Sequence, residues 1–375
     1  MAGALLEREL IGQRRGRIEF DVARLSDDPG IRCLLRENPM PGRISISLER
    51  EPNYFANAKL PGELSRTIVA RKNGRLICMG SCVIRERFLN GEVRRAGYLG
   101  GLRLDAGYSG RFDILRRGYE FCRELEQDAP ADFYFTSISA DNERAIRLLE
   151  RSARGLPRYE FVSEFITLLV STHGRRKAAD QSVRVDRSEL IHFLNDRNRE
   201  YQFASCWSEE QLAALESLGL RGSDFVSLYD RSGLTGCAAL WDQRAYKQTV
   251  VRGYSRWLRL ARPFVNALGR VRSQPWLPAV GETLASAFVS HFATRSGNPG
   301  ALITMITALS EKAAERRIEL LTMGFAAADP RVPTIRQSFR CQEYRSRIYL
   351  VSWPGIGGTA RQLDGRLPGP EVALL

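Results

Sequence analysis

The chain has 375 residues, 26% of them charged, and Lys and Arg exceed Asp and Glu by 13. The length suits two domains of roughly 100–200 residues each. The composition excludes a disordered or fibrous protein. No apolar run reaches the roughly 18–20 residues that cross a bilayer. Glu7 also interrupts the N-terminus before a signal-peptide core forms, so a cytoplasmic protein is expected. Seven dispersed cysteines do not make a disulfide framework, and the three histidines lie away from them, which points away from zinc. Cys78 and Cys82 fall on one face of a predicted strand and read as buried thiols. The basic excess favours anionic partners, but it is dispersed and lacks interleaved aromatics, so a nucleic-acid groove is not expected.

In chain order, a strand ending at Val22 precedes a helix that Asp28 and Pro29 open. Glu51 to Lys59 reads as a second short helix. A meander follows, turning at Asn73-Gly74 and Asn90-Gly91, both strong hairpin signals. Its last strand ends near Leu104 and passes through a glycine-containing loop into a helix from Asp113 to Glu126. "DFYFTSIS", "DNERAIRLLERS" and "EFITLLV" then read as strand, helix and strand.

The polar stretch 171–182 reads as a linker. Beyond it a similar order restarts, with capping boxes at Asp186/Glu189 and Ser208/Gln211 and a hairpin about Arg231–Gly233. A strand, the loop "TRSGNPG", a helix and two later strands complete the second half. An inserted segment, Val250 to Arg272, carries an apolar stripe (Val251, Tyr254, Trp257, Leu258, Ala261, Val265) beside arginines. Such a stripe suits a membrane-surface or acyl-chain-binding helix, or an ordinary packed helix. Residues 354–375 are rich in Gly and Pro and read as a flexible tail.

A strand feeding a helix through a glycine loop presents unpaired amides to an anion. On the stretches "YLGGLRLDAGYSGRFDILRRGYEF" and "FTSISADNERAIRLLER" the chain resembles the GCN5-related N-acetyltransferase superfamily. The likeness covers most of 17–170, and 183–352 fits a more diverged copy. It implies an α+β fold of two such domains, 1–170 and 183–353, each a mixed, mostly antiparallel sheet flanked by helices. It also implies acyl transfer, most simply of acetyl, from CoA to an unidentified and possibly anionic amine.

Within that resemblance, the pantetheine arm would bond to backbone near Leu102 and Leu104. The pyrophosphate would rest about Gly110, Arg111 and Phe112, with Asn142 in register on the following helix. In the second half Arg295, Gly297, Asn298 and Gly300 hold the corresponding loop positions, Asn298 where a positive φ is expected. Glu86, Glu51 and Tyr134 are the candidate proton-transfer groups. The family's tyrosine acid is replaced by Leu149. That departure keeps an alternative open, a catalytically silent acyl-CoA-binding or scaffolding protein. A third reading is a long-chain acyltransferase in which Val250–Arg272 guides the tail.

Overall fold

The computed structural model describes residues 17–56, 60–150, 154–173, 186–272, 277–295 and 298–375. The first half runs β1 (Ile18–Val22), α1 (Asp28–Glu37), β2 (Ile44–Glu49), β3 (Leu64–Lys72), β4 (Arg75–Leu89) and β5 (Glu92–Leu104). It continues through α2 (Phe112–Glu126), β6 (Phe133–Ser139), α3 (Glu143–Glu150) and β7 (Arg158–Ser171). The second half runs α4 (Arg187–Asn198), β8 (Ala204–Ser205), α5 (Glu209–Ser217), β9 (Phe225–Asp230), β10 (Gly233–Trp241) and β11 (Gln248–Tyr254). Then come α6 (Arg256–Arg272), β12 (Ser286–Thr294), α7 (Pro299–Glu315), β13 (Leu320–Ala326), α8 (Arg331–Ser338) and β14 (Cys341–Ser352).

Both Asn-Gly hairpins form as expected, with positive φ at all four turn residues. They set the antiparallel registers Lys72↔Arg75 and Leu89↔Glu92. The expected helix at Glu51–Lys59 is not formed over its described part, 51–56, which turns instead. There the Asn53 side chain accepts the Phe55 amide at 2.7 Å, a local bond that competes with helical pairing. Residues 57–59 lie outside the described residues, as do 174–185, which hold most of the expected linker.

One twelve-stranded sheet spans both halves in the order β1-β3-β4-β5-β6-β14-β7-β13-β12-β10-β9, with β8 on β4. It is mostly antiparallel; β5–β6 and β12–β13 are the parallel pairs, each joined by a helical crossover, α2 or α7. At the centre the halves exchange their last strands. β14 lies between β6 and β7, and β7 continues the second half by pairing with β13 from Ser171↔Leu320 to Phe165↔Ala326. Phe165, Ile166, Leu168, Val170, Ile348 and Leu350 are buried there, the apolar run of strands covered on both faces. A separate pair, β2 and β11, also links the halves.

The segment 354–375 is a correction to the sequence reading: it is not a loose tail but packs against both halves. The Gln202 N–H donates to the Leu367 carbonyl and the Gly369 N–H to the Gln202 carbonyl, Gln243 donates to the Ala373 carbonyl, and Ile356 and Ala373 are buried. Glycine and proline here serve close backbone approach: a Cβ on Gly369 would lie 2.8 Å from Tyr201.

Candidate active site

β5 and β6 pair over only three residues, Ala96↔Phe133, Gly97↔Tyr134 and Tyr98↔Phe135. β5 then runs on to Leu104 and β6 to Ser139 without facing each other. Beyond Tyr98, β5 bulges. Met79 faces Arg103 and Ser81 faces Gly100, so Gly101 and Leu102 together oppose Gly80. Gly101 makes the bulge with φ +63°, a region open to glycine. The carbonyls of Leu99 and Gly100 accept from Thr136 (2.6 Å) and Ser81 (3.1 Å), which fixes the parted edge.

The gap opens into a cavity of about 270 Å³. Gly100 to Arg103 form one wall and Thr136 to Ser139 the other. Its inner end runs beneath α2 and is apolar, lined by Phe20, Ile68, Ile114, Cys122 and Leu149 among others. Among the described residues that line it there is no carboxylate. Arg103 lies on the wall with its Nε–H buried and unpartnered. Burial lowers its pKa from the ordinary guanidinium value. Tyr344, which β14 brings across from the second half, completes the wall, bonded to Ser139; burial raises its phenol pKa.

Gly110, which with Arg111 and Phe112 is not among the cleft-lining residues, has φ +90° and precedes α2. Arg111 caps that helix and forms a two-point ion pair with Asp113, both bonds 2.7 Å. The hydrogen bond to Arg111 holds the Asp113 carboxyl below its ordinary pKa. Phe112 is the first helical residue, its amide turned back on the Gly110 carbonyl. Arg144, from the first turn of α3, reaches back to Ser109 Oγ at 3.0 Å. Sequence reasoning missed both Arg144 and Tyr344. Arg144 had a local signal, two residues after Asn142; Tyr344 had none, because its place depends on strand exchange.

The second half repeats this geometry closely. β12 and β13 also pair over three residues, Ser286↔Leu320 to Phe288↔Thr322. β12 also bulges, with Cys237 facing Ala293 and Ala239 facing Ser290. His291, at φ +53°, holds the place of Gly101. Here, however, the chain fills its own gap. Residues 368–372 line the remaining 70 Å³ together with Val289, His291 to Thr294 and Met323 to Phe325. Glu371 accepts the His291 amide at 2.8 Å, and Trp207 stacks on the His291 ring at 4.2 Å. Burial raises the Glu371 pKa to about 7 and lowers that of His291 to about 3.

Neither a sequence-family model nor a curated protein matches the chain. Solved structures do. A GCN5-related N-acetyltransferase from Sphaerobacter thermophilus superposes with TM-score 0.55 at 12% identity, over 91% of this chain and 98% of that one. A tandem GNAT protein from the clavulanic acid biosynthesis pathway gives 0.51 at 10% identity, over 90% and 98%. Saccharomyces cerevisiae N-myristoyltransferase, solved with bound myristoyl-CoA, gives 0.58 at 9% identity, over 95% and 89%. The fold is that of the GCN5-related N-acetyltransferases.

On this acetyltransferase fold the sequence-predicted residues divide. Leu102 sits on the cleft wall, with Leu104 just beyond at the end of β5. Asn142 lines the cleft too, but its side chain caps α3 by accepting the Ala145 amide at 3.2 Å. Three residues stand elsewhere. Tyr134 is fully buried, donating to Glu126 at 3.1 Å and accepting from the Ala131 amide, and its pKa is raised by burial. Glu86 is exposed on β4, outside the cleft lining. Glu51 accepts from Arg32 and Arg36, both at 2.6 Å, and is likewise outside it. None of the three is among the residues that line the cleft.

The second loop also serves structure. Arg295 bonds back to Ser232 of the β9–β10 turn. Asn298 caps α7 through the Ala301 amide at 3.0 Å, with φ −114° instead of the positive value expected. Gly300 lies in the first turn of that helix, and none of the three lines the second gap. Gly297 lies outside the described residues. Among the described residues, no helix is long and apolar enough to cross a membrane, and no cluster of His, Cys, Asp or Glu suits a metal.

Proposed function

We propose that the chain is an acyl-CoA-dependent N-acyltransferase, built as a tandem of two such domains, whose thioester site is the cleft between β5 and β6. The observation that carries this reading is the parting of the strands after Tyr98↔Phe135 beside a cavity. A pantetheine arm carries amide groups that complete a strand edge, and β5 has such an edge between Gly100 and Leu104. The orphaned Nε–H of Arg103 suits a carbonyl or phosphate oxygen of the same ligand. Arg111 and Arg144 offer cationic groups to the CoA phosphates.

In this reading the acceptor nitrogen attacks the thioester carbonyl carbon. The C–N bond forms, the C–S bond breaks, and backbone amides of the β5 bulge stabilise the developing oxyanion. The acceptor proton passes to solvent, because none of the described residues lining the cleft is a carboxylate. Tyr344 is the group we assign to return a proton to the leaving thiolate, with Arg103 nearby to moderate its charge. The apolar inner end leaves room for acyl groups beyond two carbons.

The missing carboxylate and the Leu149 side chain favour a second reading, a binder that holds acyl-CoA without turnover. Thiol release on a panel of amines, run beside thermal shift with acetyl-CoA and longer acyl-CoAs, separates the two. Stabilisation together with thiol release supports the enzyme. Stabilisation with no release on any amine supports the silent binder.

A further inference from the structure

We propose that α6 seats the protein on an anionic membrane surface. The helix carries five arginines and no carboxylate. The apolar stripe read from sequence is divided by the structure: Val251 and Tyr254 belong to β11, while Leu258, Ala261 and Val265 are half-buried against the body. The bulkiest groups point the other way. Trp257, Leu260 and Phe264 are 65%, 75% and 78% exposed. At 3.6 residues per turn they share an arc of roughly 60°, with Pro263 and Ala267 extending it to about 120°.

The inner side is held by polar bonds. Asn266 and Arg262 both bond the Leu277 backbone at 2.9–3.1 Å, and the Tyr254 hydroxyl donates to Pro278 at 2.7 Å. The loop they secure presents Val280, 59% exposed. A rigid helix with aromatic and aliphatic groups outward, and arginines at Arg256 and Arg259 beside them, matches the water–lipid boundary. Charge selects the occupant. A second copy docked on the same face would bring arginines against arginines across a two-fold axis. Anionic headgroups neutralise them, with attraction that salt screens. Among its residues with described side chains, 256–267, none of α6 lines the β5–β6 cleft, so this part of the helix does not guide an acyl tail within it.

The test is co-sedimentation of the full chain with phosphatidylcholine vesicles, with and without about one-third phosphatidylglycerol. We expect at least tenfold tighter binding to the anionic vesicles, falling as salt is raised. Trp257→Ser/Leu260→Ser/Phe264→Ser should weaken that binding at least tenfold while the unfolding temperature stays within a few degrees. Phe264→Ser alone should weaken it severalfold, which keeps the test usable should the triple variant fold poorly. Equal binding by wild type and variants overturns the proposal, as does no binding to either vesicle. Dimerisation seen by light scattering and abolished by the triple variant assigns the face to a second copy and also overturns it.

Discussion

Gly101 and His291 occupy matching places in two bulged strands, with φ +63° and +53°. Gly101 borders a cavity of about 270 Å³, whereas the His291 amide is bonded to Glu371 of the chain's own C-terminal segment. One half therefore leaves its parted strands beside a cavity, and the other fills its gap with the chain's own C-terminal segment. A left-handed histidine is unfavourable by roughly 1–2 kcal/mol relative to glycine. The bond to Glu371 and the stack on Trp207 hold it there.

Closure of the second gap is tight enough to test by overpacking. A Cβ on Gly324 would collide with Val372 and approach the Phe165 ring at 2.6 Å. Gly324→Ala is expected to destabilise the fold by about 1–3 kcal/mol. Adding Val372→Gly should recover part of that loss, a coupling that a urea-unfolding double-mutant cycle measures. Strict additivity would mean that the segment does not occupy the gap.

The same contact predicts a pH signature. The Glu371 pKa rises from 4.5 unfolded to about 7 folded, so between these values the native state keeps a proton that the unfolded chain has released. Its contribution to stability therefore falls as pH rises from 4.5 to 7. His291 acts in the opposite sense. With its pKa depressed from 6.5 to about 3, it stays neutral while the unfolded ring gains a proton, and stability falls as pH drops below 6.5. Glu371→Gln should remove the first slope and leave the second, as read by denaturant midpoints across that range.

Chemistry in the open cleft should follow the acceptor more than the protein. With no carboxylate among the described residues on its walls, kcat/KM is expected to rise with pH toward the pKa of the amine used. Exchanging amines should move the profile. A profile fixed near pH 4–7 whatever the amine would point to an unassigned base. Tyr344→Phe should lower kcat by about 10²-fold with acyl-CoA binding retained. Glu86→Gln and Glu51→Gln should leave turnover within about twofold, since single surface changes seldom act at a distance.

The inner end of the cavity should set chain length. Gly118 of α2 lines it beside Phe20. Gly118→Leu improves helix propensity by a few tenths to 1 kcal/mol, so folding is preserved while the space fills. We expect acetyl-CoA turnover to persist and longer acyl-CoAs to be rejected. Unchanged chain-length preference would place the acyl group elsewhere.

Much of the fold was legible because its signals are local. Asn73-Gly74 and Asn90-Gly91 dictate their turns, and Ser208 with Gln211 forms the expected capping box. The backbone near Leu102 and Leu104 was singled out by the resemblance alone. What escaped depends on distant pairing. The exchange of β7 and β14 leaves no mark in either strand's own pattern, so Tyr344 could not be placed on the cleft. Val250 and Val251 read as the start of a helix but pair with Ser47 and Ile46 of β2. Glu51 and Tyr134 were suitable residue types in suitable stretches, but their partners, two arginines for one and Glu126 in a sealed core for the other, come from distant parts of the fold or from its packing.

The central claim is that the first cleft takes the thioester arm and the second is closed by residues 368–372. The most direct measurement is a crystal structure of the full chain grown with CoA. The account predicts the pantetheine arm between Gly100–Leu104 and Ser137–Ser139, with Glu371 still bonded to His291. An arm lying along Val289–Ala293 with the C-terminal segment displaced would contradict it.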